Sequence, residues 1–400
     1  MTFVTPAFSM LLLQSSLLIG MTADYADIKP VRQITMETKG EDFFTSFQRH
    51  LQQLPRGGEL RILKGSYTLA IDKSIALPSN ITIRCDEGVE VSKPKGNAAV
   101  FTTDGVSNVH VLGGHWTGPG NQAAILWRAD GTRDFGMEGA KVERFATAMN
   151  VGSKVESFHF GFKNNICYRN TLTGISVSEV TDLTIRDNTF EANGEEIGAT
   201  HGAYLISPRQ GLITKNRFIN NNCFGLHIYV AHKDKRPPQG LTITENFFSG
   251  NGVVLANGGA IIVSGVVDGI RDIQITHNRS EGDYKGIVMI SSANYTVSDN
   301  EILQPRSIGM YFGEEVNSRR VIHGEVARNR VIGSKAEALQ FGLSPNNTDL
   351  VISDNEFTDN ARGFSVRPGY QAPGHIRIER NRFQGTRSGE NIPATMKHSE

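Results

Sequence analysis

The segment LTIRDNTF, residues 183–190, contains a pattern that recurs through the second half of the chain. Two apolar positions are separated by one residue, and an asparagine follows three places after the second of them. In most copies an apolar side chain lies two residues after the asparagine. Further copies are GLITKNRF (211–218), LTITENFF (241–248), IQITHNRS (273–280), YTVSDNEI (295–302), GEVARNRV (324–331), LVISDNEF (350–357) and IRIERNRF (376–383). Such self-similarity is typical of a solenoid, in which each repeat forms one coil.

Each repeat contains the signals of two short strands. The residue three places before every repeated asparagine is Ile or Val, with mostly polar neighbours, and this alternation indicates a strand with one buried face. A second strand follows a glycine, as in Gly202-Ala-Tyr-Leu and Gly225-Leu-His-Ile. We expect the glycine to form a corner, because glycine adopts backbone angles that other residues avoid. The strands of successive coils are predicted to pair in parallel.

The repeated asparagines are predicted to stack at one bend and to hydrogen-bond along the solenoid, which would satisfy buried backbone groups of the turn. The aromatic residues two places later, such as Phe190 and Phe218, are predicted to lie in the core. Cys167 occupies the same position in an earlier repeat and is predicted to be buried. Together with Cys85 and Cys223 it makes three scattered cysteines, too few for a disulfide framework or a zinc site.

The segment before the repeats predicts a cap and the first coils. Residues 42–54 have apolar side chains at helical spacing, which predicts an amphipathic helix over one open end of the solenoid. The strings GGELRILKGSYTLAIDKSIALPSNITIRCDEGVEV (57–91) and NVHVLGGHWTGPG (108–120) follow. They resemble the opening of the pectate-lyase-like parallel β-helix superfamily, and the resemblance extends from about residue 40 to 385. It implies an all-β, single-stranded right-handed parallel β-helix with an N-terminal capping helix.

We expect three parts along the chain. Residues 1–26 contain an apolar stretch from Ala7 to Ile19 and no charged side chain before Asp24, which predicts a signal peptide. Residues 27–385 form the β-helix domain, and residues 386–400 form a polar C-terminal tail. A signal peptide implies a secreted or periplasmic protein with no membrane span in the mature chain.

The charge balance and the missing motifs narrow the functional classes. Lys plus Arg and Asp plus Glu both total 41, so no overall field attracts nucleic acid. The superfamily includes lyases, hydrolases, epimerases, esterases and phage adhesins, so the fold does not settle the reaction. The Asp-Asp, Gly-His-Gly and Arg-Ile-Lys strings of polygalacturonase-type hydrolases and the Asp-Pro-His string of mannuronan epimerases are missing, and Asn347-Thr348-Asp349 occurs alone. No catalytic residue is therefore carried over by motif.

The candidate catalytic residues come from outward positions near the corner glycines. Tyr204 and His227 take equivalent positions in adjacent coils, Tyr229 lies two residues beyond His227, and His201 directly precedes Gly202. Because adjacent strands lie about 4.8 Å apart, these four side chains are predicted to lie together and to transfer protons. A solvated aromatic face without a function is the alternative interpretation.

Two long turns flank these residues, at 194–200 and 231–240, and the second turn is basic. Long loops on one side of a solenoid often build its binding groove, although a solvated charge run is the alternative. A basic loop over a His/Tyr face favours an anionic sugar polymer. The predicted substrate-binding residues are Arg209, Lys233, Lys235, Arg236, Tyr311, Glu195 and Glu196.

The leading hypothesis is a polysaccharide lyase or C5-epimerase acting on a uronate-containing glycan. Both reactions begin with removal of the C5 proton, which requires a base and a cation that neutralises the neighbouring carboxylate. The alternatives are a glycoside hydrolase with its acids among Glu195, Glu196 and Glu314, and a non-catalytic, adhesin-like glycan-binding β-helix. The sequence requires no cofactor or metal, leaves calcium dependence open, and fits a monomer or a side-by-side homotrimer.

Overall fold

The computed structural model describes residues 32–37, 40–152, 154–195, 200–230, 236–254, 258–265, 269–313, 322–342, 348–368 and 375–386. These residues contain one α-helix and three parallel β-sheets, and each full coil contributes one strand to each sheet in a fixed order. The prediction of a right-handed parallel β-helix is confirmed.

The three sheets form the three sides of the solenoid. Sheet 1 has 14 strands: Gln33–Met36, Gly58–Ile62, Ile81–Cys85, Ser107–Leu112, Arg133–Glu138, Ser157–Lys163, Val180–Arg186, Arg209–Thr214, Gln239–Thr244, Ile270–Thr276, Ser292–Ser298, Ile322–Ala327, Thr348–Ser353 and His375–Glu379. Sheet 2 has 13 strands: Gly65–Thr68, Val89–Ser92, His115–Thr117, Lys141–Glu143, Ile166–Tyr168, Thr189–Glu191, Arg217–Ile219, Phe247–Ser249, Arg279–Glu281, Glu301–Leu303, Arg330–Ile332, Glu356–Thr358 and Arg382–Gln384. Sheet 3 has 12 strands: Ile75–Ala76, Phe101–Asp104, Ile125–Asp130, Thr147–Val151, Ile175–Ser178, Ala203–Ile206, Phe224–Val230, Gly259–Gly265, Ile287–Ile290, Met310–Gly313, Glu337–Gly342 and Arg362–Val366.

The N-terminal end of the solenoid is covered by the helix Phe43–Leu51, as predicted. Asp42 caps the helix, because its carboxylate accepts a hydrogen bond from the Phe44 backbone N–H at 2.8 Å. The ring of Phe43 lies 6.3 Å from that of Trp116, and Phe47 packs in the same core cluster. The cap therefore continues the hydrophobic core past the first coils.

The repeated asparagines form the predicted ladder at the bend between sheet 1 and sheet 2. Each Nδ2 donates to the Oδ1 of the asparagine in the next coil at 2.9–3.2 Å. The members are Asn165, Asn188, Asn216, Asn246, Asn278, Asn300, Asn329, Asn355 and Asn381. Each Nδ2 also donates to a backbone carbonyl, as from Asn165 to Met137 at 2.9 Å and from Asn188 to Phe162 at 2.7 Å. The ladder thus satisfies the buried polar groups of the bend.

A second ladder, which the sequence reasoning missed, lies at the bend after sheet 2. Asn170, Asn193, Asn221 and Asn251 each donate to the next side chain at 2.7–3.0 Å, and the run ends on Asp283. The signal was present in the sequence, because each member lies five residues after an asparagine of the first ladder. Asp283 accepts hydrogen bonds from Asn251 in place of an asparagine oxygen.

The corner glycines are required for a different reason from the one expected. Gly202 and Gly225 do not have left-handed backbone angles, but a Cβ on Gly202 would lie 2.5 Å from the Gly225 carbonyl oxygen. Left-handed residues occur at other positions of the coils, and one of them directly precedes the ladder asparagine, as at Asp187 with φ of 58° and Lys215 with φ of 55°. Close packing of successive coils therefore selects the glycines.

The predictions for the core are confirmed. Phe190, Phe218 and Phe248 stack inside the solenoid with ring centroids 4.9 and 4.8 Å apart. Cys167 is fully buried in this stack, and Cys85 and Cys223 are also buried and free. No helix among the described residues is long and apolar enough to cross a membrane.

Candidate active site

Three of the four predicted catalytic side chains lie together on the outward side of sheet 3. Tyr204 pairs in register with His227, and Ile206 pairs with Tyr229. The ring centroid of His227 lies 5.0 Å from that of Tyr204 and 5.3 Å from that of Tyr229. The two tyrosine rings are nearly parallel, 6.2 Å apart. The clustering expected from strand spacing is therefore present.

His201 lies in the same cluster but beneath its surface. Only 1% of the residue is exposed, whereas it was expected among the outward positions near the corner glycines. Its Nε2 lies 2.9 Å from Nδ1 of His227, and its Nδ1 accepts a hydrogen bond from the Phe224 backbone N–H at 3.2 Å. His201 therefore acts on a ligand only through His227.

The backbone N–H of Phe224 fixes the proton positions of both histidines. Because this N–H can only donate, Nδ1 of His201 carries no proton and the neutral ring is protonated at Nε2. His201 then donates to Nδ1 of His227, so the neutral His227 ring is protonated at Nε2. That proton is donated to Oγ of Ser264, 3.1 Å away. The four groups form one chain of hydrogen bonds with a single direction.

Burial keeps both imidazoles neutral. Burial is the largest cause that lowers the pKa of His201 well below its usual value, and the neighbouring His227 lowers it further. Burial also lowers the pKa of His227 to about 3. Neither ring carries a charge near neutral pH, and the only unprotonated nitrogen of His227 already accepts a hydrogen bond. His227 is therefore not arranged as the base that takes a proton from substrate.

The two tyrosines keep their hydroxyl groups available. Among the described residues, neither the Tyr204 nor the Tyr229 hydroxyl has a hydrogen-bond partner, and both side chains are half-buried. Burial, and then the neighbouring Tyr229, raises the pKa of Tyr204 to about 12. Tyr204 therefore stays protonated and suits the role of a hydrogen-bond or proton donor.

Two of the predicted substrate-binding arginines face an internal partner. Arg209 and Arg236 both form ion pairs with Glu156 at the corner between sheets 3 and 1. Thr181 also donates to Glu156, at 2.6 Å. The Arg209 side chain is mostly buried, whereas that of Arg236 is 57% exposed. One carboxylate thus compensates part of the positive charge that the sequence assigned to an anionic glycan.

The remaining predicted binding residues do not join the cluster in the described part of the chain. Tyr311 is buried in an apolar group with Cys223, Phe224 and Val288, of which Phe224 borders the histidine pair, and its hydroxyl accepts from Arg367 at 3.2 Å. Glu195 is exposed in the turn that precedes His201. Four further residues lie outside the described residues: Glu196, Lys233, Lys235 and Glu314.

Family models and solved structures place this geometry in a known fold. The family described as right-handed beta helix region matches residues 128–268, and the family described as periplasmic copper-binding protein (NosD) matches residues 237–395. Each match covers less than half of the chain, and no curated protein matches it by sequence. The three parallel sheets agree with the right-handed beta helix description of the first family. The chain has the right-handed parallel β-helix fold.

Solved parallel β-helices similar to this one have different functions. A mannuronan C-5 epimerase A-module from Azotobacter vinelandii is 13% identical, with 88% of this chain and 96% of that chain covered and a TM-score of 0.57. The catalytic unit of a GH87 α-1,3-glucanase from Streptomyces thermodiastaticus is 12% identical, with 90% and 69% covered and a TM-score of 0.64. A surface adhesin of Streptococcus pneumoniae is 13% identical, with 90% and 93% covered and a TM-score of 0.58. At this identity the likeness establishes the fold alone.

The histidine pair of this parallel β-helix is not arranged to bind copper. Copper is bound by imidazole, thiolate and thioether groups. No group of three or more His, Cys, Asp or Glu side chains that could hold a metal ion occurs among the described residues. The ring nitrogens of His201 and His227 are occupied by each other, by Phe224 and by Ser264.

Ser264 is the member of the cluster that sequence reasoning missed. Counting from the glycine at 259, as from Gly202 and Gly225, gives Ile261 the position of His227 on the next coil, but His227 pairs with Ile262 and Ile261 is buried in the core. The shift arises because Gly259 pairs with Phe224, so that Ala260 takes the place of the corner Gly225. With the correct register, Ser264 lies opposite Tyr229 on the outward side of sheet 3.

Proposed function

We propose that this parallel β-helix is a polysaccharide lyase that binds a uronate-containing glycan along the outward side of sheet 3. The observation that carries the proposal is the pair of hydroxyls of Tyr204 and Tyr229, which have no hydrogen-bond partner among the described residues and belong to rings 6.2 Å apart beside His227. Exposed aromatic rings give a glycan an apolar surface, and their hydroxyls add hydrogen bonds. The fold is shared with an epimerase and a glucanase, which supports a carbohydrate ligand.

In the proposed reaction the two tyrosines have opposite roles. Tyr229, as a phenolate, takes the C5 proton of the uronate. The electron pair of that C–H bond forms the C4–C5 double bond, and the C4–O4 bond breaks. Tyr204, which burial keeps protonated, gives its proton to the departing oxygen. His227 positions both rings and takes no proton itself.

Charge neutralisation of the substrate carboxylate is assigned to the basic turn. Arg236 is exposed, and Glu156 compensates part of its charge. Lys233 and Lys235, which belong to the same turn, are proposed to supply the remaining positive charge.

The arrangement favours a lyase over an epimerase. Tyr204 and Tyr229 extend from adjacent strands of one sheet, so both approach the sugar from the same side. Removing a proton and protonating the leaving oxygen from one side is compatible with elimination. Epimerisation requires a proton to return from the opposite side of the sugar ring.

Ultraviolet absorbance of unsaturated uronate ends tests the proposal directly. We expect absorbance to rise when the purified protein is incubated with one of a panel of polyuronates, and we expect this rise to be lost in Tyr204→Phe and Tyr229→Phe. New reducing ends without unsaturation would identify a hydrolase, and a changed uronate configuration without chain cleavage would identify an epimerase. Either result would overturn the lyase assignment.

A non-catalytic glycan-binding protein is the second candidate. It is favoured by the neutral histidine pair, because His227 has no free nitrogen for proton transfer. A fold shared with a streptococcal adhesin supports the same alternative. Saturable glycan binding without any product on the panel would establish this candidate and exclude the lyase.

We also propose that the protein is secreted or periplasmic. One matching family is described as periplasmic, and the first residues have the composition of a signal peptide. Detection of the N-terminus beyond residue 20 in an extracellular or periplasmic fraction would support this location. An intact Met1 on cytosolic protein would contradict it.

A further inference from the structure

We infer that Ser264 is a glycan-binding residue whose hydroxyl donates a hydrogen bond to a ligand oxygen, and that Phe224 fixes this direction through His201 and His227. The inference rests on the proposed binding of a glycan along the outward side of sheet 3. It adds a specific contact to that function, on the coil next to Tyr229. The acceptor on the ligand is a sugar hydroxyl, ring or carboxylate oxygen.

The position of Ser264 follows from its strand, Gly259–Gly265. Ile261 and Val263 of this strand point into the core and are 1% and 0% exposed. Ser264 therefore points outward, where it pairs in register with Tyr229 of the preceding coil. The residue is 7% exposed, so the small hydroxyl lies between larger neighbours at the base of the outward surface.

The donor hydrogen of the Ser264 hydroxyl has no acceptor among the described residues. A serine hydroxyl has one donor hydrogen and two acceptor lone pairs. In the described residues Oγ makes one hydrogen bond, to Nε2 of His227, and it is the acceptor there because His227 is protonated at that nitrogen. The Ser264 proton must therefore point away from His227. A buried donor without an acceptor is costly, so a ligand oxygen at this point relieves that cost.

His201 is a positioning residue in this arrangement. Without the hydrogen bond from His201, the neutral His227 ring is free to carry its proton on Nδ1. Nε2 would then accept the proton of Ser264, and the hydroxyl would no longer donate to a ligand. The hydrogen bond from His201 to His227 thus determines the direction in which Ser264, two coils further on, points its hydroxyl hydrogen.

The direction of the chain is tested without any substrate. In long-range ¹⁵N–¹H correlation spectra of the full chain, we expect both rings to be protonated at Nε2 and neutral between pH 5 and pH 8. In His201→Gln the amide can accept from Phe224 and donate to His227, so His227 should keep this tautomer. In His201→Leu the tautomer should change. A wild-type His227 protonated at Nδ1 would overturn the inference.

The ligand contact is tested by calorimetric titration with the polyuronate that binds best. We expect Ser264→Ala to weaken binding about tenfold, Ser264→Thr to bind like the wild type, and the control Ser249→Ala, on sheet 2, to bind unchanged. If Tyr229→Phe weakens binding and Ser264→Ala does not, the inference fails while the proposed function stands. If no polysaccharide binds the wild-type chain, both fail. An unchanged affinity in Ser264→Ala would show that water satisfies the hydroxyl.

Discussion

The bend between sheets 1 and 2 and the outward side of sheet 3 differ in whether their side chains repeat from coil to coil. At the bend nine successive coils, from Asn165 to Asn381, have the same side chain, and each asparagine bonds the next one along the solenoid, as from Asn216 to Asn246 at 2.9 Å. On sheet 3 the hydrogen bonds from His201 through His227 to Ser264 stop after three coils. The coils on either side of these three have Ser176 and Val288 at the position that corresponds to His227.

This difference separates residues that build the solenoid from residues that give it a site. A side chain repeated in every coil satisfies a need that every coil has, such as pairing the backbone groups of a tight bend. Exposed charges beside the bend also pair along the solenoid, as Arg328 does with Asp299 at 2.8 Å. Side chains that break the repeat and whose hydroxyls have no partner in the described part of the chain, such as Tyr204 and Tyr229, are available to a ligand.

The largest effect is expected from a charge in the repeated core. Ile243 is fully buried, so Ile243→Asp would place an unpaired carboxylate inside the solenoid and should prevent folding. Thr242→Asp is the matched control, because Thr242 is the neighbouring residue of the same strand and is half-buried. Circular dichroism and soluble yield measure the outcome. A folded Ile243→Asp protein would contradict the inward direction of this position.

A smaller loss is expected from the ladder. Asn246 donates to the Ile213 carbonyl at 2.9 Å and to Asn278 at 2.9 Å, and it accepts from Asn216. Asn246→Ala leaves these buried groups unpaired and should lower the free energy of unfolding by about 3 kcal/mol. Asn381→Ala, at the last rung, should cost about 1 kcal/mol. Equal shifts of the denaturation midpoint in both variants would show that the ladder does not act cooperatively.

On sheet 3 the expected effect is on turnover rather than on stability. Tyr229→Phe removes one hydroxyl that has no partner among the residues the structure describes, so the denaturation midpoint should not move, while lyase turnover should fall about a hundredfold. Tyr168→Phe, on sheet 2, is the matched control and should retain full turnover. A lower midpoint in Tyr229→Phe would place this residue with the structural repeats instead.

The smallest effect is expected on the pH dependence of stability, and it concerns Asp283, the carboxylate at which the second asparagine ladder ends. Burial raises the pKa of Asp283 to about 7, above the value near 3.9 of an unfolded chain. The folded state therefore loses stability as pH rises from about 4 to about 7, and the loss persists above that range. Asp283→Asn lacks this loss and should melt a few degrees higher than the wild type at pH 8, with a smaller difference at pH 5.

Asp299→Asn provides the opposite control for this pH dependence. The Arg328 guanidinium is the largest cause that lowers the pKa of Asp299, so its carboxylate stabilises the fold at neutral pH. We expect Asp299→Asn to melt slightly lower than the wild type at pH 8 and to approach it as acid protonates the carboxylate. Identical pH profiles for the two variants would contradict the difference in burial.

The repeat made most of the fold predictable. The first asparagine ladder, the Phe190 and Phe218 stack and the capping helix all follow from spacing, because each coil must bury its apolar side against the next. The clustering of Tyr204, His227 and Tyr229 followed from strand parity and from the separation of adjacent strands. The second ladder was also visible as an asparagine five residues after the first.

What the sequence determined by itself is therefore periodic: the coils, their inward side and the residues that stack at the bends. Burial, register and hydrogen-bond direction depended on the tertiary structure. Sequence spacing placed His201 among the outward side chains near the corner glycines, whereas the fold buries it behind His227. A one-residue offset at Gly259 moved Ile261 inward and brought Ser264 to the site. Such details depend on contacts between residues more than 20 positions apart, so no local pattern contains them.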